Sequence, residues 1–204
     1  MTTTAESRRS SVDGLVVLVP SSWWVIDLVD EPARRRSIVA LVEGQLGRTD
    51  ERAVLRADLR RQLEGAAGQA AAAGGVILAI SLMQVGGLPV PATMTLYRVP
   101  GVRLDAAGLA ALVPALREGE PDAVDVADGE RGTVVRRVAR RRGPTSVGAD
   151  EVTLMVVDYW LDPADGGPVV NLTFSSPMLV VGAALLDLFD TVAGSVGPAE
   201  EEES

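Results

Sequence analysis

The sequence predicts an α+β fold in which a central antiparallel sheet is flanked by helices on both faces. Three observations predict it. Residues 152–161 form one extended apolar run, 162–168 a turn, 169–175 a second run, and Ser176 and Pro177 open an apolar helix to about Ala193. In the second run Val170, Leu172 and Phe174 share one face while Asn171, Thr173 and Ser175 share the other, the period of a half-buried strand. Upstream, 76–85 is apolar on both faces, as a central strand under helices must be, and 92–99 alternates beside it.

Residues 1–13 are polar and predict a disordered leader, 14–196 a single domain, and 197–204, with four glutamates in a row, a disordered acidic tail. Residues 14–20 predict a short buried strand ended by Pro20. Beyond it Trp23 and Val25 fall on one face of an extended stretch, with Trp24 and Ile26 on the other. Asp30 is a good N-cap with Glu31 and Pro32 in the first turn, and Ile38, Leu41, Val42 and Leu46 fall at helical spacing. Gly47 breaks that helix. A second runs from Asp50 through an alanine tract to Ala73, striped by Leu55, Leu59 and Leu63, and Gly74 and Gly75 stop it. Asp105 caps a short helix from Ala106 to about Val113, ending near Pro114.

The order of these elements resembles the PsbP-like fold. The residues that carry the likeness are Val19, Pro20, Ser21, Ser22 and Trp23 near the start, then 169–177 followed by 185–196 near the end. The chain departs from that pattern in its second long helix, 50–73. The resemblance implies an α/β/α sandwich. Because that family serves mostly as non-enzymatic assembly factors, adaptors and extrinsic subunits, it also implies a protein-binding role with no catalytic motif to carry over. The chain is also similar to uncharacterised actinobacterial proteins.

Composition narrows the chemistry. All 19 basic residues are arginine; there is no lysine, histidine or cysteine. The usual general base, Schiff-base amine, thiolate nucleophile and soft metal ligands are therefore missing. No Gly-rich phosphate cradle follows a strand, so neither cofactor nor metal is expected. A net charge of −9 argues against sequence-independent binding to nucleic acid. The longest uncharged stretch, 65–97, is broken by glycines and prolines and cannot span a membrane, and the N-terminal residues lack a signal peptide's apolar core. A cytoplasmic protein is the expectation.

The candidate partner-binding residues are Trp23, Trp24, Arg136, Arg137, Arg140, Arg141 and Arg142. The five arginines could hold an acidic partner, guard a solvent-facing edge strand, or pair internally with Asp122, Asp125 and Asp128. The expected function is a non-catalytic adaptor, assembly factor or secretion-associated accessory protein that binds a protein partner or self-associates. The alternative is a small-molecule binder or carboxylate-dependent hydrolase with a cleft near Asp158, Tyr159 and Trp160, the one acid in an aromatic setting. Asp162 and Asp165 suit ordinary turn chemistry better than a hard-cation site.

Overall fold

The computed structural model describes residues 7–119, 121–129, 132–145 and 149–199. The strands are β1 Ser7–Val12, β2 Leu15–Pro20, β3 Trp23–Asp27, β4 Gly75–Ser81, β5 Gln84–Val85, β6 Leu88–Pro89, β7 Thr93–Val99, β8 Ala123–Gly129, β9 Gly132–Arg142, β10 Thr153–Leu161, β11 Val169–Ser176 and β12 Gly197–Pro198. The helices are α1 Glu31–Leu46, α2 Ala53–Ala72, α3 Ala106–Arg117 and α4 Gly182–Gly194.

A seven-stranded sheet in the order β3-β4-β7-β11-β10-β9-β8, antiparallel throughout, forms the middle layer. On one face lie α4 and a small sheet, β1-β2-β12. Leu15, Val17 and Val19 of β2 close there over Met94, Leu96, Leu172 and Phe174, and Leu185, Phe189 and Val192 of α4 complete that core. Trp23 sits edge-on to Phe174 and Phe189, with ring centroids 6.4 and 6.5 Å away. On the other face α1 and α2 bury Ile26, Leu28, Ile38, Val42, Ala67 and Leu78. Helices on both faces of an antiparallel sheet are what the residue pattern predicts.

The caps at Asp30 and Asp105 form: their carboxylates accept from the amides of Ala33 at 3.1 Å and Gly108 at 2.9 Å. Four expectations need correction. Residues 7–12 are not a disordered leader; they form β1, paired with β2 through the two-residue turn Asp13-Gly14. Both turn residues have positive φ, 54° and 72°, the backbone that an Asp-Gly pair favours in a hairpin. Residues 1–6 lie outside the described residues.

The acidic tail starts later than expected, because Gly197–Pro198 pairs with β2; residues 200–204 lie outside the described residues. Ser176 does not cap a helix. It ends β11 fully buried, its Oγ donating to the Pro91 carbonyl at 2.7 Å and accepting from the Met178 amide at 3.1 Å. A 3-10 turn at Leu179–Val181 follows before α4 begins at Gly182. Finally, α3 continues through Pro114 to Arg117, which brings Leu116 into a buried position.

Candidate binding groove

The placement of α2 creates a concavity. Its C-terminal end is held close to β4 by Gly75, where a Cβ would stand 2.7 Å from the Ala70 carbonyl oxygen and 3.0 Å from Leu28. Ala67, fully buried, fixes the same helix against that core. The helix thus covers β4 and leaves β7 and β11 uncovered beside it. Between α2 and those strands runs a groove of about 620 Å³.

One wall is the α2 stripe Leu59, Leu63, Ala66, Ala70 and Ala73, edged by Gln62 and Gln69. The floor is Leu78 and Ile80 of β4, Thr93, Thr95 and Tyr97 of β7, and Ser175 of β11. Pro144 stands among the other lining residues. Alternation along β7 makes this floor: Met94 and Leu96 are fully buried in the opposite core, so Thr93, Thr95 and Tyr97 must face the groove. Thr93 and Ser175, cross-strand partners, hydrogen-bond through their hydroxyls at 2.8 Å. Among the described residues no Asp, Glu or Arg lines the groove.

Beyond it, on the same face of the sheet, lies a buried ion pair. Asp158 is 5% exposed; it accepts from Arg137 Nε at 3.0 Å and Nη2 at 2.5 Å, and from Thr173 Oγ1 at 2.7 Å. The Arg137 guanidinium lies over the Trp160 ring at 6.0 Å. Both of its neighbours therefore stabilise the charged arginine while the sheet keeps water away.

Tyr159 projects to the opposite face. Its hydroxyl donates to Asp190 of α4 at 2.7 Å; Asp190 also accepts from Arg136, whose second amino group reaches Asp125 at 2.8 Å. Burial, reinforced by the Asp190 carboxylate, pushes the Tyr159 hydroxyl well above its ordinary range. The hydrogen bond to Asp125 raises Arg136, with Asp190 acting the same way against desolvation. This network fastens α4 to β10, β9 and β8. Asp158, Tyr159 and Trp160 are thus divided between two faces of the sheet, and none of them lines the groove.

The sequence-predicted partner residues also separate. Trp23 is a core anchor, 1% exposed. Trp24 is half-buried, and its Nε1 donates to Ser37 Oγ at 2.9 Å. Arg136 and Arg137 are committed to the two internal networks on opposite faces. Arg140 reaches Asp122 at 3.3 Å, Arg142 donates to the Glu151 carbonyl at 3.0 Å, and Arg141 is exposed. Their strand, β9, is not the sheet edge; β8 is. In the 162–168 turn, Arg98 holds Asp165 at 2.7 Å, and that pair with the Gly167 amide keeps the Asp165 carboxyl below its usual range although burial alone would raise it. Among the described residues no group of three acids could hold a metal ion, and no helix is long and apolar enough to cross a membrane.

Sequence reasoning did not single out the groove residues. Their signal was the polar face of β7 and β11 together with the leucine–alanine stripe of α2, each of which looks ordinary alone.

No family model and no curated protein matches the chain, so the likeness to actinobacterial proteins stands without a match at the sequence level. Among solved structures the chain is similar to the cyanobacterial PsbP (CyanoP) of Synechocystis sp. PCC 6803, with a TM-score of 0.48 and 14% identity over 97% of this chain and 95% of that one. It is also similar to the Ran-binding protein Mog1p of Saccharomyces cerevisiae, with a TM-score of 0.46 and 8% identity over 96% of each chain. Identities this low do not speak for function.

Proposed function

We propose that this chain is a non-catalytic binding protein, an adaptor or assembly factor that takes a segment of another protein into the groove beside α2. One observation carries the reading. A half-buried strand face of uncharged hydroxyl residues lies under an apolar helix wall, and among the described residues no acid or base lines it. Half-buried hydroxyls next to leucine and alanine bind by shape and hydrogen bonding, and burying them under a partner adds apolar contact without stranding a charge. Asp158, the acid an alternative hydrolase would use, is held by Arg137 and Thr173.

A second reading has its own support. The groove's volume of about 620 Å³ falls within the roughly 300–1,000 Å³ of small-molecule sites, so a neutral, mainly apolar ligand is the alternative occupant. Co-purification from native lysate with mass-spectrometric identification separates the two. A stoichiometric polypeptide retained by the wild type and lost in Ala70→Arg supports the adaptor. A small molecule eluting from the purified chain, with no polypeptide partner, supports the alternative.

A further inference from the structure

We infer that the groove's occupant is an α-helix of the partner protein, about 14 residues long, that presents an uncharged face of small and aliphatic residues to α2. This rests on the binding role assigned to the groove above and names what it binds.

Position in the layer is the first reason. On this face α1 lies against β3 and α2 against β4. Strands lie about 4.8 Å apart, so β11, two strands beyond β4 with β7 between, is roughly 10 Å away. Packed helices sit about 8–10 Å apart. A further helix beside α2 would therefore rest over β7 and β11, on the floor formed by Thr93, Thr95, Tyr97 and Ser175.

The wall is the second reason. The groove-lining residues Leu59, Leu63, Ala66, Ala70 and Ala73 recur at steps of four, three, four and three, which keeps one seam of a helix turned toward a neighbouring helix. A stripe that served only to pack α2 on its own sheet would end in burial. Here Ala67, one position to the side, is fully buried, Leu59, Leu63 and Ala70 are only half-buried against the same core, and Ala66 and Ala73 stay exposed. An extended strand would not use such a seam, because its side chains repeat every two residues and about 6.6 Å.

Charge gives the third reason. The chain carries 19 arginines and 28 acids, yet among the described residues none of them lines the groove. A charged occupant face would lose its water against alanine, leucine and threonine, with no counter-ion among the described lining residues. The occupant's face is therefore uncharged: small or aliphatic residues toward α2, and hydroxyl or amide side chains toward the floor.

Photo-crosslinking in the cell reads the occupant's conformation directly. A photoactivatable residue is placed singly at Leu59, Ala66 or Ala73 of the full-length chain, and the attachment points on the partner are mapped by mass spectrometry. Leu59 of α2 and Ala73, which caps that helix, are 14 residues apart, about 21 Å. A helical occupant then gives attachment points about 14 residues apart, with those from Ala66 midway, within a segment whose facing positions are uncharged. Attachment points about six residues apart mean an extended occupant and overturn the inference while leaving the binding role intact, as does a helix whose facing positions are charged. Small-molecule adducts, or no adduct at any of the three positions, overturn both the inference and the protein-binding reading beneath it.

Discussion

Replacing Asp158 by alanine would remove the carboxylate that holds Arg137. The guanidinium would stay beneath Trp160 with its side chain 14% exposed, having lost the bonds at 3.0 and 2.5 Å. Thr173 Oγ1 would lose less, since it already lies 3.2 Å from Asn171 Oδ1. Breaking one side of a buried pair costs about 3–5 kcal/mol, and the residual exposure of Arg137 places this case near 3. For a chain of 204 residues that is a fall of roughly 6–12 °C in Tm. Removing both charges, as Asp158→Leu with Arg137→Met, should return stability to within about 1 kcal/mol of the wild type, because neither partner is stranded. Urea unfolding gives the midpoint and slope for each variant. If Asp158→Ala loses less than about 1 kcal/mol with an unchanged slope, the pair is solvated and the reasoning fails.

Tyr159→Phe should cost about 1 kcal/mol, since Asp190 keeps Arg136 when the hydroxyl goes. The raised Tyr159 ionisation also has a sign: its stabilisation is complete below the unfolded value near pH 10 and is lost as pH climbs above it. Alkaline unfolding of the phenylalanine variant should therefore be the less steep of the two. For Asp165, held low beside Arg98, the contribution is present above the unfolded value near pH 4 and lost as acid titrates the folded group. The difference in denaturant midpoint between wild type and Asp165→Asn should shrink below pH 4 and persist at pH 7. Ser176→Ala leaves the Pro91 carbonyl without its donor and should lower stability by about 1–3 kcal/mol, measured by thermal unfolding.

Local patterns made the layers legible in advance. Alternation in β11 named the residues of each face, and the caps at Asp30 and Asp105 placed two helix starts. The leucine stripe of α2 was only partly right. Steps of four residues turn a helix through about 400°, so a run of them drifts sideways, and Leu55 ends 54% exposed while Leu59 and Leu63 remain half-buried. The β1–β2 hairpin carried its own signal in Asp13-Gly14, but the polar residues before it resemble a leader because β1 packs only one side against the molecule. Ser176 looked like a cap because serine before proline usually is one; its burial under Pro91 depends on a loop that arrives from 85 residues away.

The groove was not legible for a similar reason. Its existence depends on how far α2 stands from β7, which follows from where Gly75 and Ala67 seat the helix against the sheet and not from any local pattern. The arginine cluster attracted attention as a run of like charges. Pairing distributes it: Arg136 joins Asp125 and Asp190, Arg137 joins Asp158, and a strand turns successive side chains to opposite faces.

The central claim is that recognition occurs in the groove and not at the arginines of β9. Two variants test it in one affinity-capture experiment: Ala70→Arg, which puts a charge into the groove, and the triple change Arg140→Ala, Arg141→Ala, Arg142→Ala, with circular dichroism confirming that both fold. The account predicts that the partner is lost from the first variant and retained by the second at wild-type yield. Loss from the arginine variant, with the groove variant still binding, would contradict it.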